Sequence, residues 1–392
     1  MNGWLRVAIA LLFVAVAPEN MLRADQLDAA VGKALFDRQW IPAPASTKAT
    51  DGLGPLFSSR SCTGCHSRGA GAHVVTRDDG QADIAGAVVR FGKGDGTTDP
   101  FYGLQLQTDA VPTLLPEGQA RFLPGLKYNL TGPALADGAH AGVRLAPPLF
   151  GRAAFDDVSD EEILKRADPG DRNSDGIKGR ANVTAQGIGR YGWKAAHVTL
   201  DDQVAHAFAI DIGMSSPKMP FPYGDCTKFE SACLTLPNGE SPEFDGREIS
   251  SAMLGYVDSY LKTLRAASDA ANSPGAAVFG AIGCASCHVP TLATRDGRQI
   301  PAFTDLLLHD MGPSLDDGVG EPGVKSSEWR TAPLIGHRLP SEQRRFLHDG
   351  SAATVEEAIG KHGGEAEHSR NLFEALSLDD KRRLAEYVNG LR

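Results

Sequence analysis

Cys62-Thr63-Gly64-Cys65-His66 and Cys284-Ala285-Ser286-Cys287-His288 are two copies of one short pattern in a chain of 392 residues. Each sets two thiols one helical turn apart, with an imidazole directly after the second. That spacing lets both thiols reach the vinyl groups of one porphyrin and turns the imidazole toward the iron, which is the chemistry of c-type haem attachment. Zinc fits less well, because zinc-binding cysteine pairs lie tens of residues apart and these lie more than two hundred apart. A thioredoxin-like redox motif would not repeat with the same histidine after both second cysteines. The pattern predicts two covalently bound haem c groups. Cys62, Cys65 and His66 would hold one, and Cys284, Cys287 and His288 the other.

Working outward, residues 1–24 read as an export signal. Arg6 supplies a positive start. Val7–Ala17 is an unbroken apolar run, too short to span a bilayer but of signal length. The expected location is the periplasm, an oxidising compartment. The remaining cysteines, Cys226 and Cys233, flank a short polar segment. A small disulfide loop is the simplest reading, and a redox-active pair the alternative. A net charge of −10, from 39 basic and 49 acidic residues, argues against nucleic acid and is compatible with a basic protein partner. With 44 glycines and 24 prolines and no periodic bias, the chain should be rich in loops.

The two halves look like a repeat. Trp193–Asp202 can be laid on His348–Glu357 so that Thr199 meets Thr354. Each half also closes on an amphipathic pattern: Ile249, Met253, Val257 and Leu261 in the first, and Leu384, Tyr387, Val388 and Leu391 after a Ser377 cap in the second. A haem motif first and an amphipathic helix last predict a mainly α fold of two cytochrome-c-like haem domains, with long loops and little β. The expected divisions are an N-terminal domain with insertions at 25–268 and a C-terminal domain at 269–392. Between them, Asp171-Arg-Asn173-Ser-Asp175-Gly176-Ile177 has the first half of an EF-hand loop, but Asn182 stands where the bidentate Glu belongs. A half-loop calcium site using Asp171, Asn173, Asp175 and Ile177, and an Asx-rich turn, are both open readings.

Several further segments carry a resemblance. They are Gly52–Phe57, Ala146–Gly151, Asp175–Arg180, Phe303–Pro313, Trp329–Pro333, Phe346–Gly350, Glu357–Ile359 and His362–Ala366. Through them the chain resembles the peroxidase-like di-haem oxidoreductases, also labelled thiol-oxidoreductase-like. These are related to bacterial di-haem cytochrome c peroxidases and to the methylamine dehydrogenase maturation enzyme. The resemblance implies one haem that does peroxide chemistry and one that feeds it electrons. It also implies a sixth ligand for the second haem at His362, where the peroxidases carry Met. His309, Met311 and His337 are weaker rivals.

The repeat then lays His362 on Ala207, so the His66 haem should be open unless the adjacent His206, or His73 or His140, closes it. By the same resemblance, Trp193 would lie between the haems and Gln203 over the open iron. The family's catalytic Glu falls on Gly213 here. Proton transfer during O–O cleavage would then pass to Asp211 or His206. The resemblance further allows a calcium between domains.

The expected function is an exported di-haem oxidoreductase. Electrons would pass from a small cytochrome or cupredoxin, through the His288/His362 haem, to hydrogen peroxide or a related oxidant at the His66 haem. The rival readings are a non-enzymatic di-haem electron carrier and a di-haem enzyme that oxidises a protein or organic substrate.

Overall fold

The computed structural model describes residues 18–123, 127–132, 134–266 and 273–391. Most of the expected signal, and the expected join at 268/269, lie outside the described residues. Among the described residues the α-helices are α1 (Pro18–Asp37), α2 (Cys62–Cys65), α3 (Asp160–Leu164), α4 (Leu200–Asp211), α5 (Ser251–Thr263), α6 (Pro274–Ala281), α7 (Val355–Gly360), α8 (Glu367–Glu374) and α9 (Leu378–Asn389). None of them is long and apolar enough to cross a membrane.

Helix crossings bracket both halves. α1 packs along α5, and α6 packs along α9. Each crossing is closest at a glycine. A Cβ on Gly32 would lie 1.8 Å from the Tyr256 carbonyl oxygen, and one on Gly275 would lie 2.2 Å from that of Arg383. Only a residue without a side chain lets the backbones approach this far. The buried stripe of α5 is Leu254, Val257, Tyr260 and Leu261, so Ile249 precedes the helix and Met253 sits at its edge. On α9 the expected Ser377 cap accepts from the Asp380 amide, and Leu384, Tyr387 and Val388 are buried.

The repeated Thr199/Thr354 segment is the same device twice. Each threonine caps its helix and is matched three residues on by an acid, Asp202 on α4 and Glu357 on α7. The two helices then diverge. α4 continues through Ala207 to Asp211, whereas α7 ends at Gly360, just before His362.

Helix accounts for 30% and strand for 18%, so the fold is mixed α/β. The expectation of mainly helical, cytochrome-c-like domains with little β is overturned. The strands that escaped notice are two to six residues long and pair two by two. Among the described residues, those of four residues or more lie between residues 73 and 145, where His73–Thr76 pairs with Ala82–Ala85, Gln119–Leu123 with Lys127–Thr131, and Ala87–Gly92 with His140–Leu145. Glycine-rich connections between such short runs read as loop when taken one at a time.

The largest core joins α1, α4 and α5 to Leu292, Ile300, Ala302, Leu306 and Leu307 from beyond the expected 268/269 division. A second core holds Phe279, Phe303, Val355, Phe373, Leu384 and Tyr387.

Candidate functional site

Local hydrogen bonding shapes both Cys-x-x-Cys-His motifs. Ser61 caps α2 by accepting from the Gly64 amide, and the His66 amide donates to the Cys62 carbonyl at 2.8 Å. The second motif is a 3-10 turn, with the His288 amide on the Cys284 carbonyl at 2.9 Å. Each histidine thus stands one turn on from its first cysteine. His66 Nδ1 donates to the Pro147 carbonyl at 3.0 Å, and His288 Nδ1 to that of Phe303 at 3.1 Å. A tethered Nδ1 fixes the tautomer and leaves the Nε2 lone pair for a metal. Burial holds both rings neutral, lowering each to about 4. Cys62, Cys65 and Cys284 are pushed up to about 12, chiefly by burial, which is the opposite of an activated redox thiol.

Cys284, Cys287, His288 and His362 line one cavity of about 1820 Å³, its open mouth included. His362 repeats the tether, with Nδ1 on the Ala358 carbonyl at 2.7 Å. The rival ligands stand nearby. Met311 and His337 line the same cavity, and burial drives His337 down to about 3. His309 has no lone pair to spare. Its Nε2 is on Asp305 at 2.9 Å and its Nδ1 on Glu365 at 2.7 Å. Burial opposes a charge on this ring, but the two carboxylates override it and hold the imidazole well above its usual range. Glu365 also accepts from the Asp310 and Lys178 amides, which anchors the turn carrying His362.

α4 supplies the surroundings of the first motif. The Asp211 carbonyl accepts from the amides of Ser58 and Ser59, directly before the motif, and the Asp211 charge reaches Cys62 and Cys65. Val204, Ala205, Phe208 and Ile212 are buried in the core. Gln203, His206, Ala207 and Asp211 share the opposite, half-buried face. Asp211 Oδ1 accepts from Gln105 Nε2 at 2.9 Å, and burial raises its carboxyl. The His206 ring lies 4.5 Å from that of His197, and burial lowers both.

Gly213 could not hold the family's glutamate in this backbone. Its φ is +80°, and a Cβ there would lie 2.7 Å from Gly54 Cα.

Trp193 faces the second region. Its indole donates to the Leu145 carbonyl at 2.8 Å and lines the His288 cavity. Its ring meets His348 edge-on, and His348 stacks on Trp329 at 3.7 Å. The residue before it, Gly192, approaches the first region: a Cβ there would be 3.6 Å from Gln203 Oε1. His73 lies on a strand with Nδ1 on the Gly71 carbonyl, and His140 is exposed beside Gly318.

In the loop considered for calcium, Asp171 Oδ1 accepts from the Gly176 amide and Asp175 Oδ1 from the Ile177 amide. Asn173 and Asp175 bond each other, so the loop makes the Asx-type turns open to it. Cys226 and Cys233 form a disulfide.

These donors fit haem. The cysteines of both motifs are free thiols, and three neutral imidazoles are tethered through Nδ1. In the large cavity, Arg152 carries a buried Nη1 with no hydrogen-bond partner, a natural mate for a porphyrin carboxylate. A family model described as "Di-haem oxidoreductase, putative peroxidase" matches residues 126–391.

The chain belongs to this di-haem oxidoreductase family.

No curated protein matches it. The family carries haem cofactors and a peroxidase-like role for the protein. The matched span includes the second motif, His362 and the whole of α4, while the first motif lies before it. Three features of this di-haem oxidoreductase were not legible in its sequence. They are the Asp305–His309–Glu365 clamp, the His348–Trp329 stack and the Arg152 orphan, each built from residues that only the fold brings together.

Proposed function

We propose that this protein is an exported di-haem oxidoreductase that reduces peroxide or a related small oxidant at the His66 site. A haem held by Cys62, Cys65 and His66 would supply the reacting iron, and one held by Cys284, Cys287, His288 and His362 would deliver electrons to it. The observation that carries this reading is the inequality of the two sites. The second cavity presents two imidazoles tethered in the same way, His288 and His362, which would both be free to bind a haem iron through Nε2. Near the first motif, α4 presents Ala207, Gln203 and Asp211 on its half-buried face.

Each residue then has a task. Gln203 holds the oxidant by hydrogen bonds. Asp211, raised by burial, can carry a proton, and His206, kept neutral, can accept one. Reduction of hydrogen peroxide to two waters takes two protons and two electrons. The electrons come from a soluble donor of the small cytochrome or cupredoxin class. Trp193 lines the His288 cavity and its chain neighbour Gly192 lies near Gln203, which supports a path from one site to the other. Residues 1–24 and the oxidised Cys226–Cys233 pair support export to the periplasm.

The test is the electron paramagnetic resonance and visible spectrum of the ferric holoprotein before and after one equivalent of hydrogen peroxide. One high-spin and one low-spin signal are expected, with the high-spin signal changing on peroxide. Two low-spin signals, both inert to peroxide, would overturn the proposal. The observation favouring that second reading, a pure electron carrier, is His206, whose ring makes no hydrogen bond among the described residues and is chemically able to close the iron.

A further inference from the structure

We propose that the His66 site is built to receive a small anion, with Arg90 supplying the positive charge. This rests on the reading of that site as the place where substrate binds.

Arg90 lies in the strand Ala87–Gly92 between Val89 and Phe91, which are 1% and 0% exposed in a core of their own. Side chains alternate along a strand, so Arg90 projects from the opposite face. Its neighbours across the sheet are Gln105 on one side and Gly142 on the other. Residues directly opposite share a face. Gln105 uses its side chain to reach Asp211 at 2.9 Å, so this face looks onto the C-terminal end of α4 and the first motif. Arg144, two residues beyond Gly142, shares the face and is paired with Asp317. Arg90 differs. Among the described residues its guanidinium has no hydrogen bond, ion pair or ring contact.

No carboxylate pairs with it among the described residues. His197 and His206 lie ring to ring at 4.5 Å, and neither ring makes a hydrogen bond among the described residues. Burial first, and then the Arg90 charge, keep both imidazoles neutral. Two carboxyls feel the same charge. Asp211 is raised by burial and occupied by Gln105, while Asp225 is pushed up to about 7 and accepts from the amides of Leu104 and Gln105. Neither forms an ion pair with Arg90. A half-buried guanidinium with no protein partner keeps its donors free for an anion. Gln203 on the same face of α4 adds an amide donor. The chemistry that fits is a compact monovalent anion able to take a charge-assisted hydrogen bond and to meet an iron, such as deprotonated peroxide, azide or nitrite.

The experiment is an azide titration of the ferric holoprotein, followed in the visible spectrum, for the wild type, Arg90→Gln and Arg90→Lys. Carbon monoxide binding to the reduced proteins serves as the neutral-ligand control. Azide affinity should fall at least tenfold in Arg90→Gln and recover to within about threefold in Arg90→Lys, while carbon monoxide affinity stays within twofold. Azide affinity unchanged in Arg90→Gln would assign the guanidinium to a haem carboxylate and overturn the proposal. An equal loss for carbon monoxide would overturn it too. If the wild type takes up no azide, the open-site reading fails instead. The same comparison made between His206→Gly and His206→Gly/Arg90→Gln then decides the anion site on the same tenfold criterion.

Discussion

His66, His288 and His362 share one habit, an Nδ1 given to a backbone carbonyl, and their roles follow from it. In the holoprotein, His362→Ala should turn one low-spin ferric signal high-spin and leave the other haem's bands in place. Two unshifted signals would give the sixth position to another side chain, with Met311 next in line. Gln203→Ala should slow the reaction with peroxide by about 100–1,000-fold, the scale of losing one oriented hydrogen-bond donor, without moving the resting spectrum. A pre-steady-state mixing experiment reads this directly, and an undiminished rate removes Gln203 from the site.

Away from the haem motifs, Glu117 offers a titration to follow. Burial first, and then the neighbouring Glu230, hold its carboxyl well above the ordinary range. One of its oxygens is buried with no donor, while the other accepts from the Gln107 amide at 2.6 Å. The folded state therefore favours its proton. The stabilisation is complete below about 4.5, its ordinary value, and is lost as the pH rises through the raised one. Glu117→Gln should flatten that alkaline loss in denaturant titrations, and an unchanged pH profile would rule out the assignment.

At this scale, the sequence disclosed what covalent chemistry forces to be contiguous. The two thiols and the imidazole of each motif must be neighbours in the chain. Arg90, His197 and Gln105 must not be, and strand pairing brings them to α4 without leaving a pattern in the sequence.

Between elements, the two helix crossings carry the sharpest steric demand. Gly32→Ala would force a methyl group into the Tyr256 carbonyl, so α1 must lift from α5. A loss of at least ~1–3 kcal/mol is expected in equilibrium unfolding, the usual cost of overpacking. Gly275→Ala should do the same to α6 and α9. A neutral result at either position would mean that the helices separate at little cost. The N-cap Ser377 was readable because a hydroxyl three residues before an acid is a local signal, whereas Thr199 and Thr354 were matched as a repeat and only the fold shows them as caps. The strands were not readable. At two to six residues, periodicity within one run is too brief to detect, and some runs, such as Ala87–Gly92 with His140–Leu145, pair across a long stretch of chain.

For the molecule as a whole, the doubled motif sets a stoichiometry. Pyridine haemochrome analysis should find two haems per chain, and Cys62→Ala/Cys65→Ala should retain one. Two haems in that variant would mean that attachment does not need the first pair. The family match covers residues 126–391, so the more recognisable part of the chain is the part that carries His288 and His362. The disposition of the two sites could not be read from the repeat. The largest core draws on both sides of the expected division, and Gly192-Trp193 approaches Gln203 through the glycine and the His288 cavity through the indole.

Pro147 gives that mixing a direction. Its carbonyl fixes the His66 ring, while the residue itself walls the His288 cavity. During maturation, filling the second cavity would firm up the wall from which His66 hangs. Haem loading should then be ordered, with the C-terminal site acting as a template for its neighbour. A chain deprived of its second attachment pair would emerge with a misaligned first iron as well as a missing second one.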